Sequence, residues 1–205
     1  MKVLFLDIDG VLNNDKTNSR GPSGCIGIGN SQLDRLYHIV KETGAEIILT
    51  STWKSSWDKN PNYRDLDGMY LNKKFTQKGM FLKDKIDDSK TGMYNRGAAI
   101  KLYLDTHPEI EEYLILDDFE FDFEKYEDLN ANWIQTESAV GLTSEHVDLA
   151  IDILNRQELI QEIKKIYIET KGTLGVSRMT VELKRKNIIY NHKKIYRLMH
   201  ENGYL

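Results

Sequence analysis

Asp7 and Asp9 stand on either side of Ile8 at the end of a short apolar run, Val3-Leu4-Phe5-Leu6, and Gly10 follows at once. Along an extended chain, side chains at i and i+2 point the same way, so both carboxylates face one site while Ile8 turns into the core. Gly10 lets the backbone turn sharply away. Two carboxylates this close cannot easily both stay ionised in a dry site unless a cation neutralises them or one keeps a proton. The pair therefore suits a hard cation such as Mg2+, and a division of labour between a nucleophile and a general acid–base. Polar groups close two further apolar runs. Ile47-Ile48-Leu49 opens into Thr50-Ser51-Thr52, and Tyr113-Leu114-Ile115-Leu116 opens into Asp117-Asp118.

Such groups need a scaffold that brings strand ends together. Continuous apolar runs of this length are those of strands buried on both faces of a parallel sheet. Between them the spacing predicts helices. Leu33, Leu36, Tyr37 and Val40 recur at helical intervals over about 31–43 before Gly44, and Ala99, Ile100, Tyr103 and Leu104 share one side of 96–105 before Pro108. Strands alternating with helices mean an α/β, doubly wound parallel sheet, whose ligands bind at the carboxyl ends of the strands. From Thr143 a further helical stripe runs through Val147, Ala150, Ile151 and Leu154. At 100° per residue, Leu159, Ile160, Ile163, Ile166 and Tyr167 centre roughly opposite that stripe. A helix serving one core before 155–158 and another after it would show this, so the predicted domains are 1–156 and 157–205. The second should be all-α, with a loop at Gly172–Gly175 and helices over 177–186 and 191–202.

Composition bounds the alternatives. The 205 residues carry 28 Lys+Arg against 32 Asp+Glu, enough chain for one domain or two small ones. The charge is divided: residues 157–205 hold ten Lys/Arg and five Asp/Glu, leaving an acidic body and a basic tail. No apolar run approaches the ~18 residues of a membrane span, and the first ten residues, with carboxylates at 7 and 9, are not expected to act as a signal peptide. The one cysteine, Cys25, cannot close an internal disulfide, which fits a reducing cytoplasm; with no adjacent histidine it is assigned no chemistry.

The segment Asp7-Ile8-Asp9-Gly10-Val11-Leu12 resembles the first motif of the haloacid dehalogenase (HAD) superfamily of phosphohydrolases, and other motifs follow in order through about residue 156. By that resemblance Asp7 is the nucleophile and Asp9 the acid–base. Thr50 matches the hydroxyl that holds a phosphoryl oxygen, with Ser51 a near alternative and Gly10 beside it in the phosphate loop. Asp117-Asp118 matches the acidic metal motif, implying Mg2+ held by Asp7, the Asp9 backbone carbonyl, Asp117 and Asp118. The superfamily usually has a lysine before the helix leading to that motif, and here Arg96 stands at that place. Arginine binds phosphate in a fork and stays charged; Lys101, one turn further along, is the rival. Leu49-Thr50-Ser51-Thr52-Trp53-Lys54, Arg96-Gly97, Leu116-Asp117-Asp118, Thr136 and Gly141-Leu142-Thr143 look like a HAD subgroup found in multidomain RNA-repair proteins. Residue types leave three uses open. Asp122 either shapes the metal loop or is a solvated charge, and Trp53 and Trp57 either stack on a base or pack in the core.

The tail has a different likeness. Glu182-Leu183-Lys184-Arg185-Lys186, Tyr190 to Met199 and Glu201-Asn202-Gly203 look like the helix-turn-helix region preceding the integrase core of an insertion-sequence transposase family. The pattern departs around Leu174–Met179, and no strand-transfer core is expected in these residues. Lys193, Lys194 and Arg197 are expected on one helix face, away from Ile195, Leu198 and Met199, as contacts to DNA. Too few residues lie between Leu12 and Ser31, or over 54–95, for a large cap, so the site should be open. An open site together with these resemblances implies a phosphorylated nucleotide or nucleic-acid end as substrate. The rival function is a nucleic-acid-binding regulator with the HAD body as scaffold.

Overall fold

In the computed structural model, which describes residues 1–205, five parallel strands form one sheet: β1 (Lys2–Leu6), β2 (Glu46–Leu49), β3 (Leu82–Lys85), β4 (Glu112–Asp117) and β5 (Trp133–Gln135). Their order is β3-β2-β1-β4-β5, so the three runs read from sequence form the centre. The two strands the sequence did not announce are the edges. Alternation along β1 divides the core: Leu4 and Leu6 join Ile47, Leu49, Leu114 and Leu116 on one face, while Val3 and Phe5 join Ile48 and Ile115 on the other. Each such fully buried side chain contributes about 1.5–3 kcal/mol.

The first face is covered by α1 (Asn30–Thr43), α2 (Leu66–Thr76) and α5 (Ser144–Leu154). The second is covered by α3 (Arg96–Thr106) and the short α4 (Glu127–Ala131). In α1 the buried stripe is turned relative to expectation. Leu33, Leu36 and Ile39 are buried, whereas Tyr37 is 39% exposed. Tyrosine keeps its hydroxyl wet at the stripe's edge, and Ile39, at i+3 from Leu36, takes the inner position. The residues before α1 form a loop with one antiparallel bridge, Arg20 to Ile26, and 3-10 turns with α2 lie between β2 and β3; neither segment builds a cap domain.

The chain divides into two compact units, Met1–Leu154 and Asn155–Leu205. The reversal of hydrophobic phase falls where α5 ends, and Asn155 separates it from α6 (Arg156–Glu169), so two helices replace the single continuous one. The second unit holds α6, α7 (Val176–Arg185) and α8 (His192–Glu201) around Leu159, Ile163, Ile166, Met179, Leu183, Ile195, Leu198 and Met199. Asn191 caps α8 by accepting from the Lys194 backbone N–H at 2.8 Å. No helix is long and apolar enough to cross a membrane.

Candidate active site

Three adjacent strand ends deliver the chemistry. Asp7 continues the ladder from β1, its N–H donating to Leu116 at 2.9 Å, and Thr50 continues from β2, its N–H donating to Leu6 at 2.9 Å. Asp117 closes β4. Gly10 then adopts φ +72°, and a Cβ there would run into the Asp118 carboxylate, so only glycine permits this turn. Two anchors hold the loop: the Gly10 N–H donates to Asn13 Oδ1 at 2.9 Å, and the Thr136 hydroxyl donates to the Gly10 carbonyl at 2.8 Å. Ile8 is fully buried, as the i, i+2 argument requires.

Arg96, the first residue of α3, is 6% exposed. Its Nη1 donates to Asp117 Oδ2 and lies 3.0 Å from Asp7 Oδ1, with the guanidinium 4.1 Å from the centre of the Phe121 ring. Burial works against its charge, but Asp117 and Asp7 outweigh that and raise its pKa. The start of α3 is fixed from the metal-motif loop: Asp122 accepts from the Gly97 and Ala98 N–H groups at 2.6 and 3.2 Å. It is therefore a buried cap rather than a solvated charge. Lys101, by contrast, pairs with Asp128 at 3.0 Å on the exposed side of the same helix. The structure brings Arg96, and not Lys101, into the cluster.

Ligand oxygens of Asp7, Asp117 and Asp118 lie within 4.8 Å of one another. Burial pushes the Asp7 carboxyl up to about 6 and the Asp117 carboxyl up to about 7, against the pull of Arg96, and it raises Asp118 too. The donor set is oxygen-only, with Asp7 and Asp117 buried and Asp118 part-exposed. That set fits a hard divalent cation.

Beside it, Thr50 is fully buried and its Oγ1 has no hydrogen-bond partner. Buried hydroxyls are seldom left so, and this one is free to bond an oxygen brought to the strand ends. Ser51, also fully buried, offers its hydroxyl to Asp7 and lowers that carboxyl's pKa. Asp9 is exposed, yet both its oxygens are held. Asn13 Nδ2 donates to Oδ1 at 2.8 Å, and Trp53 Nε1 donates to Oδ2 at 3.1 Å. Trp53 is accordingly buried and polar-bonded, while Trp57 is buried packing beneath Arg64. Sequence reasoning missed Asn13 and the Trp53 bond. The only signal for either was a polar or indole N–H close to a motif.

In the second unit one expected contact is displaced. Lys194 is 8% exposed and lies on the stripe with Ile195, Leu198 and Met199, its Nζ 4.0 Å from the centre of the Tyr190 ring. Lys194 and Leu198 are four residues apart and so share a face; the lysine stem packs while its charge meets an aromatic. Lys193 and Arg197 are exposed, Arg197 lying 3.7 Å from Glu201. The expected three-residue basic face is reduced to these two.

A doubly wound parallel sheet with acidic and hydroxyl groups gathered at its central carboxyl ends defines an α/β protein of the HAD-like class. The family model for the HAD domain in Swiss Army Knife RNA repair proteins matches residues 3–147, and the chain belongs to that family. The model for an HTH-like domain matches residues 154–205. No curated protein matches the chain significantly.

Proposed function

We propose that the protein is a Mg2+-dependent phosphomonoesterase that works through an aspartyl-phosphate. Membership of the family makes the coarser statement, a HAD-superfamily hydrolase domain. The observation that carries the finer reading is the contrast between two carboxylates one residue apart. Asp7 is buried against the Arg96 guanidinium, while Asp9 faces solvent on neutral N–H donors. One environment suits a nucleophile and the other a proton carrier.

In this reading the Asp7 carboxylate attacks phosphorus and the ester P–O bond breaks as Asp9 gives its proton to the leaving oxygen. Asp9 then takes a proton from water, whose oxygen attacks phosphorus and displaces the Asp7 carboxylate, releasing inorganic phosphate. Arg96 and the unpartnered Thr50 hydroxyl, with Ser51 and the Gly10 loop alongside, meet the charge of the transferring group. Asp7, the Asp9 backbone carbonyl, Asp117 and Asp118 would hold Mg2+, which neutralises the phosphoryl oxygens when bound.

A nucleotide or nucleic-acid end is supported as substrate by the RNA-repair setting of the family, by the lack of a cap, and by the HTH-like match of the second unit. The last of these also favours a second reading, a nucleic-acid-binding regulator. Release of phosphate from p-nitrophenyl phosphate and a 3′- or 5′-phosphorylated oligonucleotide, dependent on Mg2+ and abolished by EDTA, tests the choice. Salt-sensitive duplex binding without turnover would select the regulator.

A further inference from the structure

The geometry points to Trp53, together with Asn13, as the positioning device that aims the Asp9 carboxyl at the leaving-group oxygen. The inference rests on the reading of Asp9 as the proton carrier. An exposed aspartate normally samples several rotamers, and a proton carrier that does so spends little time in line with its target. Here each carboxylate oxygen accepts one bond from below, from Asn13 Nδ2 at 2.8 Å and Trp53 Nε1 at 3.1 Å. Each oxygen retains a second acceptor position toward solvent for the travelling proton.

Both donors are themselves anchored. Asn13 is 2% exposed; its Oδ1 accepts from the Gly10 N–H at 2.9 Å and its Nδ2 also meets the Ile26 carbonyl at 3.2 Å. The indole of Trp53 sits in the core facing Tyr70, whose hydroxyl accepts from the Ile28 N–H at 3.0 Å. The backbone N–H of Trp53 donates to Ser51 Oγ at 3.5 Å, which ties the indole to the polar end of β2. The donors are also uncharged. A lysine or arginine in either place would bind the anion alone, whereas neutral N–H groups hold the carboxyl with or without its proton. That is what a group needs if it gives a proton in one half-reaction and takes one in the next.

The test separates aim from packing by the leaving group. p-Nitrophenolate departs well without protonation, and an alkoxide does not. Trp53→Phe keeps a ring in the core and removes the N–H. It should lower kcat/KM, which reports the steps through loss of the leaving group, by about 10–100-fold for an alkyl phosphate and by less than about threefold for p-nitrophenyl phosphate, since general acid catalysis of that departure serves only the poor leaving group. Asn13→Asp, which still accepts from Gly10 but turns an oxygen toward Asp9, should show the same split with the indole in place. Independently of turnover, Asp9→Asn should shift the Trp53 indole N–H resonance upfield, identified as the one of three lost in Trp53→Phe. Equal losses of kcat/KM on both esters, in either variant, would make these packing residues and overturn the proposal, as would an indole resonance indifferent to Asp9→Asn. Asp9→Asn turning over both esters at the wild-type rate would instead remove Asp9 from the chemistry, and the proposal with it.

Discussion

Arg96→Ala probes the arrangement on which the site's charge balance depends. The guanidinium contacts Asp117 and lies 3.0 Å from Asp7 Oδ1, and it is 6% exposed. Removing one partner of such a buried pair costs about 3–5 kcal/mol when the opposite charges must remain ionised. The pH decides whether they must. Asp7 and Asp117 have folded-state pKa values pushed up to about 6 and about 7, so between about pH 4 and 7 the folded chain binds more protons than the unfolded one. Stability of the metal-free protein therefore falls as pH rises through that window. Arg96 opposes the rise in both carboxyls, so without it their pKa values climb further. The deficit of Arg96→Ala should be small at pH 5, where the carboxyls are largely protonated, and approach about 3–5 kcal/mol at pH 8. Urea unfolding in EDTA at the two pH values reads this directly. In parallel, kcat on p-nitrophenyl phosphate should fall by about two to three powers of ten, the size of one lost oxyanion donor, while Lys101→Ala leaves it unchanged. Equal deficits at pH 5 and pH 8 would refute the electrostatic account, and a Lys101 variant that fails where Arg96→Ala works would move the role to Lys101.

Asp7→Asn should abolish turnover and, because it removes a carboxylate that burial disfavours, unfold at higher urea than the metal-free wild type at pH 8 but not at pH 4; residual wild-type activity would end its assignment as nucleophile. Asp9→Asn should slow both half-reactions and accumulate a phosphoryl-enzyme if water activation suffers more than transfer, which intact-protein mass spectrometry after mixing with substrate detects; a wild-type rate would contradict its role. A chain ending after Gln157 should stay folded and hydrolyse a small phosphate ester, since Leu154 completes the first core; insolubility would show that the tail supports it. Replacing Lys193 and Arg197 together should flatten the dependence of log K on log salt by up to about two phosphate contacts, and an unchanged slope would exclude that face from nucleic-acid binding.

The sequence by itself determined the parts whose physics is local. β1, β2 and β4 announce themselves because strands buried on both faces must be apolar at every position, and the groups that close them are therefore conspicuous. Asp7, Asp9 and Gly10 fall together for the same local reason, as do the caps at Gly44 and Asn191. Edge strands lack that signature. Leu82-Lys83-Asp84-Lys85 in β3 is charged because an edge meets water, and β5 has only three residues. The sequence put Arg96 ahead of Lys101, five residues or about 7.5 Å further along the helix, and tertiary structure supplied their partners, Asp7 and Asp117 for Arg96 and Asp128 for Lys101. Tertiary structure also turned Lys194 inward onto Tyr190 and made Asp122 a cap for a helix 25 residues earlier. The reach of Trp53 across 44 residues to Asp9 depends on two strand ends lying side by side. Spacing along the chain does not encode that proximity, because it arises only when the sheet assembles.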